Sequence, residues 1–201
     1  CELLPSMAAL GFGYVTGGTV TESPQPGNPK PRMLRYVKDQ SLINALGFPN
    51  KGLDFAARHL ERAQGSFGRM PVIVSVSGST GDEIIRCHRR LEPLVDAIEI
   101  NISSPNTLGL RGFQEPAALA ELMTRVSDGR KKPIWVKLPH YAPESESQDR
   151  VLTLARACVD TGVNAVTVAN TRPTEDPRLA TGSGGLSGRP LFPDTLRMVA
   201  E

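Results

Sequence analysis

The stretch Leu-Val-Asp-Ala-Ile-Glu-Ile (residues 94–100) runs directly into Asn-Ile-Ser-Ser-Pro-Asn-Thr (residues 101–107), and this junction decides the fold class. The first part is short, mainly apolar and rich in isoleucine and valine, which predicts a buried strand. The second part supplies amides and hydroxyls with no spacer after the strand. A strand that ends in uncharged hydrogen-bonding side chains is typical of the ligand face of parallel α/β enzymes. We therefore expect a parallel α/β protein with a polar ligand site at this point.

The rest of the chain alternates between strand-like and helix-like segments. Apolar runs predict strands at residues 12–21, 71–76, 97–102, 133–138 and 165–169. Periodic patterns and helix-start residues predict helices at residues 40–44, 53–63, 82–91, 116–127, 147–161 and 193–200. Such alternation favours a parallel sheet with helical crossovers.

The number of strands indicates an incomplete barrel. Closure of a (β/α)8 TIM barrel needs eight strands, and only about five are visible, corresponding to barrel strands two to six. The chain starts at Cys1 and stops within a predicted helix at Glu201. We expect residues 1–201 to form a single partial β/α-barrel catalytic domain that is cut at both ends. An open doubly wound sheet is the alternative.

Composition excludes several classes of function. A net charge of +2 over 201 residues gives no electrostatic case for nucleic acid. The cysteines form no C-x-x-C pair, so we expect Cys87 and Cys158 to be core residues in a reducing, cytoplasmic compartment. The histidines His59, His88 and His140 lie in no metal-ligand spacing, so surface or helix-face positions are expected and no metal site is predicted. No apolar run reaches the roughly 18 residues that a transmembrane helix needs.

Polar residues also end the other predicted strands. Lys137 could neutralise an anion or an electron-rich ring, although a salt bridge to a nearby carboxylate is the simpler alternative. Asn170 and Thr171 could hold a planar polar ligand, or they could cap a turn before Pro173. The glycine-rich segment 181–188 could cradle a phosphate with backbone N–H groups, or it could be a flexible loop.

Taken together, these segments resemble the dihydroorotate dehydrogenase family, the flavin enzymes of pyrimidine synthesis. Residues 11–32 resemble the family's second barrel strand and the loop after it. Residues 43–48 resemble its substrate loop, and residues 101–111 resemble its active-site loop. Lys137, Asn170-Thr171 and residues 184–188 then follow in the family's order, so the likeness covers nearly the whole chain.

The resemblance implies a flavin-dependent oxidation of dihydroorotate to orotate, with FMN as the cofactor. Ser104 would be the base that removes the C5 proton, while C6 passes a hydride to the flavin, and Thr107 would belong to a proton relay. A serine in place of cysteine resembles the quinone-linked, membrane-associated class, so a quinone is the implied electron acceptor. The implied location is cytoplasmic and peripheral at the inner membrane, with membrane contact only through segments outside this chain.

The resemblance also implies two sets of binding residues. Those expected to bind the substrate are Asn44, Ala45, Leu46, Gly47, Phe48, Asn101, Asn106, Asn170 and Thr171. Those expected to bind the cofactor are Thr19, Ser75, Asn101, Lys137, Ala169 and Gly188.

The chain also departs from the family pattern. Ser75 stands where the family has a flavin-binding asparagine, and the first strand and the last two strands of the barrel are expected to lie outside residues 1–201. We therefore expect this chain alone to bind FMN poorly and to turn over nothing. Two alternatives stay open: a related flavin barrel that acts on another dihydropyrimidine, and a degenerate barrel fragment without catalysis.

Overall fold

The computed structural model describes residues 3–103 and 112–201. Their helices and strands, in chain order, are α1 (Leu4–Ala8), β1 (Val15–Val20), β2 (Met33–Tyr36), β3 (Ser41–Asn44), α2 (Leu53–Arg62), β4 (Val72–Val76), α3 (Gly81–Leu91), β5 (Ala97–Asn101), α4 (Pro116–Ser127), β6 (Ile134–Lys137), α5 (Glu146–Asp160), β7 (Ala165–Thr167), β8 (Arg172–Glu175), β9 (Ser183–Gly188) and α6 (Phe192–Ala200). Short 3-10 turns occupy Glu92–Leu94 and Arg189–Leu191.

A five-stranded parallel sheet forms the centre of the fold. Its strands lie in the order β1-β4-β5-β6-β7, and every neighbouring pair is parallel. Helices α3, α4 and α5 connect the strands from β4 to β7, which is the predicted β/α alternation. The five predicted strands of this sheet are confirmed, with ends that differ by a few residues.

The two faces of this sheet have different chemistry. Val74, Val76, Ile98 and Ile100 are buried in the main apolar core, on the face that packs against the helices. Side chains alternate along a strand, so the intervening residues point to the opposite face, the inside of the partial barrel. Strand register places Ser75 of β4 beside Glu99 of β5 on that inner face. The polar groups are thus presented inside the barrel while the apolar ones hold the helices.

The helices bury regular apolar stripes. Helix α2 buries Leu53, Ala56, Ala57 and Leu60, a spacing that keeps one side of a helix in the core. Helix α3 begins with a capping box: Thr80 accepts from the backbone of Glu83, and the Glu83 carboxylate accepts from the backbone of Thr80. These local signals are why the sequence predicts both helices at nearly the right bounds.

The core contains the two predicted cysteines and one histidine. Cys87 and Cys158 are buried, and burial raises the pKa of each thiol to about 12. His88 lies on helix α3, one of the two expected positions, but it is 2% exposed, so it faces the core and not the surface. Burial lowers the pKa of His88, which favours the neutral imidazole.

A second sheet, which the sequence did not predict, is antiparallel. Its order is β2-β3-β9-β8. The helix expected at residues 40–44 is instead strand β3, and the glycine-rich loop expected at residues 181–188 is largely strand β9. Each of these strands is paired on both sides, and this pairing satisfies its backbone N–H and C=O groups. The local sequence does not predict such pairing, because the partner strands are distant in the chain.

A small apolar cluster and one ionic cluster hold this second sheet together. Ile43, Ala45 and Leu179 form the apolar cluster. Beside it, Arg178 donates to the carboxylate of Asp176 at 2.8 and 3.0 Å, and the Tyr36 hydroxyl donates to the same carboxylate. The Arg178 guanidinium holds the pKa of Asp176 below its usual range. The sheet is therefore a separately packed layer beside the main core.

Candidate active site

A cavity of about 360 Å³ lies between the two sheets, at the carboxyl ends of the parallel strands. It has a volume suited to a small organic ligand. The predicted substrate residues that line it are Asn44, Ala45, Leu46, Gly47, Phe48, Asn101, Asn170 and Thr171. The predicted cofactor residues Thr19 and Lys137 line the same cavity. Residues far apart in the sequence are thus brought to one place.

A second cavity of about 620 Å³ adjoins the first, and both are lined by Asn170 and Thr171. Ala169 and Gly188, two further predicted cofactor residues, line this second cavity. Its wall continues into the 3-10 turn at Arg189–Leu191 and the start of α6. The two cavities therefore share part of their walls.

Thr19, Ser75 and Asn101 form a hydrogen-bonded row across three neighbouring strands. The Asn101 Nδ2 group donates to Thr19 Oγ1 at 3.1 Å, and Thr19 Oγ1 lies 3.2 Å from Ser75 Oγ. Ser75 is therefore part of the polar row, although its side chain is shorter than the expected asparagine. The row offers hydroxyl and amide groups to a polar ligand.

Lys137 is the last residue of β6, in register with Asn101 of β5 and Thr167 of β7. Within residues 3–103 and 112–201, its ammonium group makes no ion pair and no side-chain hydrogen bond. The alternative of a structural salt bridge therefore has no support in this part of the chain. A cation that lines a cavity without a protein counter-charge is suited to an anionic or electron-rich ligand.

Asn170 and Thr171 follow β7 and combine a local turn with a long-range contact. The backbone N–H of Thr171 donates to Asn170 Oδ1 at 2.8 Å, as the capping alternative anticipated. The Asn170 Nδ2 group donates to the carbonyl of Ser103 at 3.0 Å. A side chain at Gly185 would collide with Thr171 Oγ1, because the added Cβ would lie 1.9 Å from it. Glycine is needed there to let β9 approach the cavity wall.

The loop that carries residues 45–48 is fixed by two asparagines that the sequence analysis did not single out. Asn28 Nδ2 donates to the carbonyl of Ala45 at 3.0 Å, and Asn50 Nδ2 donates to the carbonyl of Phe48 at 2.8 Å. Gly47 adopts a left-handed conformation with φ of +70°, and an added Cβ would meet Asn28 at 2.8 Å. The proline-rich segment around Asn28 predicts a loop, but the sequence alone does not show its contact with residues 45–48.

Three further polar side chains are buried near these strand ends. Ser77 and Ser103 are buried and bond to Asn101, and Glu99 is buried and accepts from Thr167 Oγ1 at 2.7 Å. Their roles depend on side-chain geometry, which a strand pattern does not show.

Ser104, Asn106 and Thr107 lie outside the described residues. Within the described part of the chain, no group of three possible ligands could hold a metal ion. The same part contains no helix long and apolar enough to cross a membrane.

Comparison with known proteins agrees with this architecture. The chain is 41% identical over 204 residues to a dihydroorotate dehydrogenase (quinone) of Thermus thermophilus, covering 96% of this chain and 58% of the relative. It is 40% identical over 210 residues to the protein of the same name from Leifsonia xyli, covering 96% of this chain and 60% of the relative. The chain thus spans less than two thirds of the length of these relatives.

Solved structures show the same fold. A ligand-free DHODH from Eimeria tenella superimposes with a TM-score of 0.81 at 29% identity, covering 94% of this chain and 62% of the other. The DHODH of the same organism in complex with ferulenol gives a TM-score of 0.81, covering 95% and 60%. These likenesses, with the five-stranded parallel sheet, confirm a partial (β/α)8 barrel.

A sequence profile described as "Dihydroorotate dehydrogenase" matches residues 2–201. The match extends across both sheets and both cavities, well beyond the individual motifs. The chain belongs to the dihydroorotate dehydrogenase family.

Proposed function

We propose that the protein takes part in the flavin-dependent oxidation of dihydroorotate to orotate, in pyrimidine synthesis. The observation that carries this proposal is the convergence of the loop at residues 44–48, Asn101, Asn170-Thr171 and Lys137 on a single cavity. These groups come from both sheets. The proposal treats residues 1–201 as one partial catalytic domain of this activity.

The residues around the two cavities fit FMN, which is the proposed cofactor. Thr19, Ser75 and Asn101 supply hydroxyl and amide groups for the ring, and Lys137 supplies a cation without a protein partner in the described residues. Ala169 and Gly188 line the adjoining cavity, which provides room for the phosphate end. When bound, FMN supplies the two-electron oxidation chemistry that amino-acid side chains lack.

The substrate is proposed to be held by uncharged amides. Asn44, Asn101 and Asn170 line the cavity, and the hydroxyl of Thr171 lies beside them. Amides suit a planar pyrimidine because they offer uncharged hydrogen-bonding groups at fixed positions. Asn106 belongs to the same proposed set.

Ser104 is the proposed base that takes the C5 proton of dihydroorotate, and Thr107 is the proposed relay partner. A free serine hydroxyl is a weak base, so it needs a hydrogen-bonded neighbour to carry the proton away. Ser103 precedes Ser104 directly, and it holds Asn101, three residues before Ser104, through two hydrogen bonds. Such a support is what a base needs to stay in position.

A quinone is the proposed electron acceptor, because the curated relatives reported above carry that word in their names. The proposed location is cytoplasmic and peripheral at the inner membrane, through segments other than those described here. No role in nucleic-acid binding is proposed, since the net charge is only +2.

Replacement of Ser104 tests the proposed reaction. In the longest natural chain that carries this sequence, Ser104→Ala should lower kcat at least 100-fold with FMN still bound, because general-base catalysis contributes on this scale. Quinone-coupled turnover of dihydroorotate and flavin absorbance are the measurements. Ser66→Ala is the control, since Ser66 is an exposed serine in a turn after α2. Unchanged turnover in Ser104→Ala would contradict the proposal that Ser104 is the catalytic base.

A further inference from the structure

Ser103 donates twice to the same atom. Its backbone N–H lies 3.1 Å from Asn101 Oδ1, and its hydroxyl lies 2.7 Å from that oxygen. An amide oxygen has two lone pairs, so these two bonds use its full accepting capacity. Both residues are deeply buried, with Asn101 4% and Ser103 2% exposed.

This arrangement determines which end of the Asn101 amide reaches the cavity. A backbone N–H can only donate, so the Asn101 atom facing Ser103 must be the oxygen. The Nδ2 group is therefore on the opposite side, where it donates to Thr19 Oγ1 at 3.1 Å. Thr19 and Asn101 both line the 360 Å³ cavity. One of the two Nδ2 protons is used by Thr19, and the second is left for a ligand.

Ser103 also reaches the other side of the cavity. Its carbonyl oxygen accepts from Asn170 Nδ2 at 3.0 Å. The same residue thus orients two of the asparagines that line the cavity, one through its hydroxyl and N–H and the other through its carbonyl.

We propose that Ser103 is a positioning residue that locks Asn101 as a pure hydrogen-bond donor, so that Asn101 recognises an acceptor oxygen of the ligand. With its carbonyl saturated, Asn101 cannot accept from a ring N–H. The ligand atom beside it is therefore a carbonyl or carboxylate oxygen. This inference rests on the proposed function for the identity of the ligand, dihydroorotate or orotate, and it extends that function to a residue not assigned to it.

The chain contains a matched control. Ser77 is 1% exposed, and its hydroxyl donates to the main-chain carbonyl of Asn101 at 2.9 Å. Ser77→Ala and Ser103→Ala therefore delete the same group, at similar burial, from the same neighbour. Only Ser103→Ala removes a bond to the side-chain amide, because the hydroxyl bond at 2.7 Å is lost while the backbone N–H bond at 3.1 Å stays.

The experiment is an equilibrium titration of orotate by calorimetry, with kcat and KM for dihydroorotate, in the longest natural chain that carries this sequence. We expect Ser103→Ala to weaken orotate binding about tenfold and to raise KM more than it lowers kcat. Ser77→Ala should bind orotate within about twofold of the unmodified protein. Equal affinity of the two variants would overturn the proposal.

A second measurement separates this inference from the proposed function. If the unmodified protein binds no orotate, the proposed function is overturned, and hydrogen exchange of the Asn101 side-chain amide, followed by NMR, then decides the inference. If Ser103 holds the Asn101 side chain in place, the amide protons of Asn101 should exchange faster in Ser103→Ala than in Ser77→Ala. Equal exchange in the two variants would overturn it.

Discussion

Lys137 is the residue whose chemistry is least explained by structure alone. It ends a buried strand, lines the cavity and has no carboxylate partner in residues 3–103 and 112–201. A purely structural lysine would be expected to pair with an acidic neighbour or to extend into solvent. We therefore expect the charge of Lys137 to act on a ligand in the cavity.

Replacing Lys137 by methionine tests this explanation. Lys137→Met keeps an unbranched, flexible side chain but removes the charge, so we expect the protein to retain FMN less well and to reduce it at least tenfold more slowly. Flavin content after gel filtration and stopped-flow absorbance are the measurements. Lys131→Met is the control, because Lys131 is an exposed lysine just before β6. If both variants match the unmodified protein, Lys137 has no role toward the cofactor.

The sequence predicted the polar residues at the ends of strands. It did not predict the residues that orient these side chains. Lys137, Asn101 and Asn170 stand out because each follows an apolar run. Ser103 lies in the polar run after β5, but nothing in the sequence distinguishes it from the neighbouring hydroxyl residues. Its role follows only from which atoms face each other across 2.7 and 3.1 Å.

Local sequence patterns predicted the helices and strands that pack against the main core. They did not predict the strands that form only through pairing with distant segments. Helix α3 has a capping box and a buried apolar stripe, and both can be read from the sequence. Strand β3 is four residues long and β9 is half glycine, so neither has a recognisable period. These two strands exist because each has partners on both sides, which no local window contains.

Helix α3 also carries the clearest expected pH dependence. Burial lowers the pKa of His88, and its Nδ1 atom has no hydrogen-bond partner among the described residues. As the pH falls below about 6.5, His88 is protonated in the unfolded chain but stays neutral in the folded chain. The contribution of His88 to the free energy of unfolding is therefore fully present above this pH, and it is lost as the pH falls through the pKa of the folded state. His140, whose pKa burial also lowers, acts in the same direction.

His88→Leu should therefore flatten the dependence of unfolding free energy on pH between about pH 5 and 7.5. Carboxylates whose pKa is lowered, such as Asp176 and Glu92, act mainly below about pH 4.5 and do not interfere in this window. Urea denaturation at a series of pH values is the measurement. We expect His140 to leave a residual slope in the variant. A slope identical to that of the unmodified protein would show that His88 does not titrate on unfolding.

In the molecule as a whole, the cavity is made by two sheets with separate cores. The parallel sheet supplies Thr19, Asn101 and Lys137, and the antiparallel sheet supplies Asn44 and Gly185. The main core and the cluster of Ile43, Ala45 and Leu179 are distinct. The sequence predicted the parallel sheet and the position of its ligand face, but not the layer that covers it. That layer depends on long-range pairing between residues more than 100 positions apart.

We propose that this two-sheet cavity supports the oxidation of dihydroorotate by a bound flavin. The most direct measurement is an anaerobic titration of the FMN-loaded protein, in the longest natural chain that carries this sequence, with dihydroorotate while flavin absorbance is recorded. We expect the flavin absorbance band to bleach, and we expect orotate to form in proportion to the loss of absorbance. A protein that holds FMN but shows no bleaching at saturating dihydroorotate would contradict it.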